Sequence, residues 1–245
     1  MKIKIIEPWT SNNENTEEDI KYFKSCLSQD DNFEIVFNDD DGLETLESVS
    51  DESFLLPGII KNIIKAEKQG FDGVYVNCSA DPGLLQAKEL VKSPVVGPLS
   101  SSILLASVIG KKITILSNTS NNRECEEYWI ERTGLSHLVS KLRFSELSIL
   151  DLLVSGDPSD KTFQACKETV EKDNCDVIIL GCTCMFHMVD ELRRKLQEEN
   201  INVQIVEPVM ASLKMLRTLV EMNLTGSFNG RISSHINGLN IGEIT

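Results

Sequence analysis

Phe71-Asp72-Gly73-Val74-Tyr75-Val76-Asn77-Cys78 and Cys175-Asp176-Val177-Ile178-Ile179-Leu180-Gly181-Cys182 share one plan: an aspartate, an uncharged apolar run and a cysteine at its end. Runs such as Val74–Val76 and Val177–Leu180, unbroken by polar residues, mark strands covered on both faces, which is the habit of parallel sheets. The two stretches lie over one another, so the sequence predicts that one motif is used twice.

A second echo lies upstream of each. Lys2-Ile3-Lys4-Ile5-Ile6 runs on to Thr10-Ser11-Asn12, and Lys112-Ile113-Thr114-Ile115-Leu116 runs on to Thr119-Ser120-Asn121. Each half therefore reads strand, polar loop, then strand and cysteine. Strands are expected at 2–6, 33–37, 73–77, 112–116, 176–180 and 203–206. Helical spacing puts Ile59, Ile60, Ile63 and Ile64 on one face, Met185, Met188, Val189, Leu192 and Leu196 on a second, and Val209, Leu213, Leu216 and Val220 on a third. Strands alternating with helices specify an α/β fold. The duplication makes it two pseudo-symmetric lobes, each a parallel sheet flanked by helices.

The 245 residues are 41% hydrophobic and 25% charged, enough for one large core or two linked ones. A net charge of −14 repels phosphate backbones and anionic head groups, so neither nucleic acid nor a membrane surface is expected as a partner. The longest uncharged run, 93–110, carries Pro94, Pro98 and several serines and is too polar to span a bilayer. Met1 to Glu7 read as a charged, alternating strand instead of a secretory leader. Together with seven cysteines, an odd number, this points to free thiols in a reducing cytoplasm. The acidic residues Asp39, Asp40, Asp41 and Glu44 read as a solvated loop.

Chemistry in open parallel sheets gathers at the carboxyl ends of the strands, where Cys78 and Cys182 both stand. After Cys78, Asp81 is expected to cap a helix that begins at Pro82. After Cys182, Thr183-Cys184-Met185 leads into the Met, Val and Leu stripe, so a second helix start is expected within a turn of the sulfur. A thiol of pKa near 8.5 costs about 2 kcal/mol to ionise at pH 7, and a helix start returns up to about 2 kcal/mol. Two such sulfurs facing one pocket rest as one thiolate and one thiol, a base opposite an acid. Inversion of a carbon acid needs that pair, one sulfur removing a proton and the other delivering one to the opposite face.

These residues resemble the cofactor-independent aspartate, glutamate and hydantoin racemases, and the resemblance covers most of the chain. Cys78-Ser79-Ala80-Asp81-Pro82-Gly83-Leu84, with Pro94-Val95-Val96-Gly97 downstream, is similar to the hydantoin and allantoin branch, where Asp-Pro-Gly-Leu comes after the first cysteine. Gly181-Cys182-Thr183 with Met185 resembles the second-half motif, with Cys184 where relatives have glycine or histidine. Glu207-Pro208-Val209 resembles the return to the first lobe. The resemblance implies a first lobe of residues 1–98 plus 208–245 carrying Cys78, and a second lobe of 99–207 carrying Cys182. The active site would lie in the cleft between them. It implies a racemase or epimerase needing neither pyridoxal phosphate nor metal, acting on a hydantoin, allantoin or an amino acid and assembled as a homo-oligomer.

The hydantoin branch opens with Ile-Asn-Pro-Asn-Thr, whereas Ile6 here is followed by Glu7-Pro8-Trp9-Thr10. Glu7, Trp9 and Thr10 thus take the place of the residues that border the substrate, and they suit an uncharged ring better than a dianion. Ser79, Ser117, Asn118, Thr119 and Thr183 are candidates for hydroxyl or amide contacts to substrate oxygens. His187 is a candidate to polarise a carbonyl, but the reading of an ordinary helix residue is preferred. A metal site is disfavoured, because His137, His187 and His235 are far apart in sequence. Cys26, Cys125, Cys166 and Cys175 read as packing. Alternatives stay open within the superfamily, decarboxylation of a malonate-like acid or double-bond isomerisation. Outside it, a thiol-based sensor using a Cys182–Cys184 disulfide is the rival.

Overall fold

The computed structural model describes residues 1–10, 17–38, 43–148, 151–152 and 159–226. Ser11, Asn12, Asp39 to Asp41 and His235 lie outside the described residues. The chain separates into two compact units. The first holds Met1–Asn77, Asp81–Gly97 and the chain from Leu213 on; the second holds Cys78–Ala80 and Pro98–Ser212.

The first unit is built on β1 (Lys2–Glu7), β2 (Asn32–Phe37), β3 (Gly73–Val76) and β4 (Val95–Val96), all parallel in the order β2-β1-β3-β4. α1 (Glu17–Cys26), α2 (Val49–Lys68) and α3 (Leu84–Leu90) connect them. The second unit opens with α4 (Pro98–Ile109), which packs on its sheet, and continues with β5 (Ile113–Ser117), α5 (Arg123–Arg132), β6 (Val139–Phe144), α6 (Ser159–Asp173), β7 (Val177–Leu180), α7 (Val189–Glu198) and β8 (Gln204–Val206). Its strands are again parallel, in the order β6-β5-β7-β8. α8 (Pro208–Glu221) begins in the second unit and from Leu213 belongs to the first, where Leu216 packs on Gly73.

The expected duplication is present in the register. Ile3 faces Gly73 as Ile113 faces Val177, and Ile6 faces Val76 as Leu116 faces Leu180. No slip separates the copies: Asp72 stands six residues before Cys78 as Asp176 does before Cys182, and both ladders are locked at the same point. Asp72 Oδ2 accepts the amide of Lys2 at 2.7 Å and its own amide donates to the Lys2 carbonyl at 2.8 Å. Asp176 does the same with Lys112, at 3.0 and 2.9 Å, and also accepts the Lys111 amide at 2.9 Å.

These backbone donors hold the Asp176 carboxyl below the usual carboxylate value. A depressed folded-state pKa stabilises the fold above the unfolded value and loses that contribution as pH falls through the folded one. Asp176→Ala is therefore expected to lower the melting temperature at pH 7, and the gap to the native protein is expected to close below about pH 4. Thermal melts across that range check it; a gap that stays constant with pH would rule the clip out as an ionic one.

Two strands escape the sequence pattern, β4 and β6. β4 is two residues long, and β6 (VSKLRF) has no fully buried residue, so neither carries a buried apolar run. Of the expected helix faces, Ile59 and Ile63, then Met185, Met188, Val189, Leu192 and Leu196, then Val209, Leu213 and Leu216 are buried, while Ile60, Ile64 and Val220 are half-buried. Cys26, Cys166 and Cys175 are buried packing residues, with burial pushing the Cys166 thiol up to about 12; Cys125 is partly exposed.

Candidate active site

Each half delivers its cysteine one residue past the last rung of a buried strand. The Asn77 amide donates to the Ile6 carbonyl at 2.9 Å, and Cys78 is next in the chain; the Gly181 amide donates to Leu116 at 2.8 Å, and Cys182 is next. Cys78–Ala80 groups with the second unit, so both cysteines belong to it, whereas the resemblance implies Cys78 in the first. The Ala80 carbonyl there accepts Arg132 Nη2 of α5 at 2.6 Å.

The turns beyond the two cysteines depart from the expected helix starts. Asp81 takes a left-handed conformation (φ 51°), as does Gly83 (φ 78°), and α3 starts only at Leu84 with Gly83 as its uncapped N-cap. Asp81 is therefore not the N-cap residue, and Pro82 does not begin the helix. The Asp81 carboxyl packs on Gly97, where a Cβ would come within 2.3 Å of its Oδ1. After Cys182 the chain makes the 3-10 turn Thr183–Met188 before α7, closed by the Met185 amide on the Cys182 carbonyl at 3.1 Å. An α-helix start is thus about two turns further from the sulfur than the sequence predicts.

The thiol of Cys182 is nonetheless held below its ordinary value. The Cys184 side chain hydrogen-bonds to it, and the Asn118 side chain and the Cys184 amide add to the effect; burial and the charge of Glu126 oppose it. Donors aimed at a sulfur favour its thiolate. Cys184 is one of those donors.

Ser117, the last residue of β5, is buried, and its hydroxyl donates to Glu126 Oε1 at 2.5 Å. Desolvation raises the Glu126 carboxyl to about 7, and the Ser117 bond only partly offsets it. Sequence reasoning misses both Glu126 and Arg132: on the acidic segment Glu124, Glu126, Glu127 and Glu131 every carboxylate reads as solvated surface, and only the placement of α5 singles one out. Among the described residues, Ser79 Oγ and Asn118 Oδ1 are buried without a hydrogen-bond partner. Thr183 is buried at the start of its turn, Thr119 is partly exposed, and His187 is exposed with its ring 3.6 Å from that of Phe186.

The other expected contacts sit in the first unit. Glu7 is buried at the end of β1 and accepts both bonds of Asn77 Nδ2, at 3.0 and 3.1 Å, while Tyr75 Oη donates to Asn77 Oδ1 at 2.6 Å. The Trp9 carbonyl accepts the Asn38 amide at 2.9 Å. The Thr10 amide donates to the Leu43 carbonyl at 3.0 Å, and its buried hydroxyl has no partner among the described residues. Among the described residues no group of three or more His, Cys, Asp and Glu is placed to hold a metal ion, and no helix is long and apolar enough to cross a membrane.

The sequence of both units matches a known family. Its sequence model, Asp/Glu/Hydantoin racemase, covers residues 3–216. The chain belongs to the Asp/Glu/hydantoin racemase family. It is accordingly an enzyme of the racemase class, an isomerase. Among the relatives of this family member, a hydantoin racemase from Pseudomonas sp. (strain NS671) is 29% identical over 225 residues, 91% of this chain and 87% of that one. A hydantoin racemase from Rhizobium meliloti is 27% identical over 75% of this chain and 74% of its own. The allantoin racemase from Klebsiella pneumoniae has the same fold, with a TM-score of 0.81 at 24% identity over 94% of this chain and 91% of that one.

Proposed function

We propose that the chain inverts a stereocentre next to a carbonyl in a hydantoin-type ring, by proton transfer between Cys78 and Cys182 without a cofactor. The observation that carries this reading is the depressed thiol of Cys182, a sulfur prepared as a base at the end of a duplicated strand whose other copy ends in Cys78. In one direction the Cys182 thiolate takes the Cα proton and becomes a thiol, leaving an enolate; the Cys78 thiol protonates the opposite face and becomes a thiolate. The reverse direction exchanges the roles, and no electrons leave the substrate.

The orphaned oxygens support a ring substrate. A buried polar atom left unpaired costs about 1–3 kcal/mol, so Ser79 Oγ and Asn118 Oδ1 favour a ligand that supplies partners. Asn118 Oδ1 only accepts, and a ring N–H is a donor of the right kind. The Glu126 carboxyl, whose charge already opposes the Cys182 thiolate, works against a second negative charge, which disfavours the aspartate and glutamate dianions. The two relatives from Pseudomonas and Rhizobium are hydantoin racemases, in agreement.

Proton NMR in D2O with single-enantiomer hydantoins, allantoin, aspartate and glutamate tests the proposal. Loss of the α-proton signal is expected with hydantoins or allantoin and not with the two amino acids. Silence across the ring substrates would overturn it, and exchange confined to aspartate or glutamate would overturn the substrate class.

A further inference from the structure

Glu126 is a charged group that the two-cysteine inversion leaves unused. It projects from the first turn of α5, and its carboxyl is tied to Ser117 Oγ at 2.5 Å. Ser117 in turn is pressed against the residue before Cys182: a Cβ on Gly181 would lie 2.7 Å from the Ser117 Cα. One side chain thus reaches the Cys182 end of β7 by two routes, its charge on the sulfur and its grip on β5.

We propose that Glu126 is a positioning residue that sets the protonation state of Cys182, through its charge and through Ser117. The inference rests on the two-cysteine reading for its catalytic meaning, though not for its physical content. The groups around Glu126 are few. Ser117 faces it from β5, and Cys182 feels it from the start of the 3-10 turn. Among the described residues, the 3-10 turns that flank α5 bring the exposed His137 from one side and Ser120, Asn121 and Asn122 from the other. The remaining charges nearby are engaged elsewhere. Arg123 lies over the Phe144 ring and pairs with Glu127, Arg132 holds the Ala80 carbonyl, and Glu146 accepts from Ser120. Burial, with a neutral hydroxyl as its hydrogen-bond donor, moves the carboxyl to about 7, so Glu126 changes charge at neutral pH.

Below that pH Glu126 is neutral and the Cys182 thiolate is unopposed; above it the carboxylate pushes the thiol pKa up. Glu126 and Cys182 therefore titrate as interacting groups, and the thiol loses its proton over a broadened pH range. Two enantiomers have an equilibrium constant of one, so kcat/KM is equal in both directions at every pH. The influence of Glu126 on the free enzyme therefore shows as one pH profile of kcat/KM shared by both enantiomers, and any asymmetry between the directions shows as different pH profiles of kcat.

The test is iodoacetamide alkylation of the full chain from about pH 5 to about pH 9, with the rate read at the Cys182 peptide by mass spectrometry. The native profile is expected to be broad. In Glu126→Gln it is expected to sharpen to one step and move down by about one pH unit. An unchanged Cys182 profile in the folded variant, even with a lowered melting temperature, would reduce Glu126 to a structural role and overturn the proposal. Should the variant fail to fold, the infrared carboxyl band of the native protein decides. A protonated carboxyl persisting at about pH 6 supports the proposal, and its loss together with the ordinary carboxylates near pH 4 overturns it. The alkylation readout involves no substrate. A shifted Cys182 profile in a protein silent toward every hydantoin would sink the functional reading and leave this one standing.

Discussion

Cys78→Ser and Cys182→Ser are each expected to lower kcat/KM for inversion by at least about 10³-fold, with the folded protein retained. A serine hydroxyl keeps the shape of the site but not its acidity. At neutral pH it neither rests as an anion, as the hydrogen-bonded Cys182 sulfur can, nor gives up a proton to an enolate readily. Losing either partner disables both directions, because the acid of one direction is the base of the other. The two changes are also expected to be far from additive, with the double variant little worse than either single one, since groups that act as one device fail together. Folding should be spared: Cys182 is partly exposed, and a thiol-to-hydroxyl change creates no cavity. Circular-dichroism melts beside α-proton exchange and optical rotation decide it. Inversion at the native rate in either folded variant would exclude the two-base mechanism.

The fold is legible because it is written twice. Val74–Val76 and Val177–Leu180 lie on the inner strands of their sheets, where burial on both faces demands apolar residues without interruption, and the repeated Asp, run and Cys give away the duplication. β6, with its partly solvated faces, and the two-residue β4 leave no such trace. The turns after the cysteines escape a local reading for a related reason. Asp-Pro next to a strand end suits a capped helix on local grounds, yet Asp81 is buried against Gly97 in a left-handed conformation, an arrangement fixed by tertiary packing.

The candidate site is legible only where it depends on strand position. Cys78, Cys182, Ser79, Ser117 and Asn118 sit at the ends of strands, where sequence can find them. Glu126 reaches Ser117 from a helix nine residues on, and Arg132 reaches Ala80 across fifty-two, so only the folded chain distinguishes them from their solvated neighbours. Divergence between the copies carries further information. Glu7 ends β1 where Ser117 ends β5, and Asn77 comes after β3 where Gly181 comes after β7. The first pair joins carboxylate to amide. The second puts a hydroxyl beside bare backbone, and the carboxylate arrives instead from α5.

That bare backbone makes Gly181→Ala the substitution expected to damage the second unit most. The added Cβ would stand 2.7 Å from the Ser117 Cα, 2.9 Å from its Cβ and 3.0 Å from its Oγ. The first of these is backbone, so no side-chain rotation relieves the clash. β5 and β7 cannot simply part: each is bonded to the other and to an outer strand, and the Gly181 amide is itself a rung, donating to Leu116 at 2.8 Å. Overpacking of this kind costs about 1–3 kcal/mol, which corresponds to a melting temperature lower by roughly 2–12 °C for a chain of this size. Activity should suffer beyond that loss, because the strain falls on the two segments that carry Cys182 and the Ser117–Glu126 pair. At a temperature where the variant is still fully folded, kcat/KM is expected to fall by at least about tenfold, roughly 1.4 kcal/mol of transition-state stabilisation. Denaturation curves and inversion kinetics measured together check both parts. A Gly181→Ala protein as stable and as active as the native one would show that the end of β7 yields freely, and the close approach of β5 and β7 would then have no hold on Cys182.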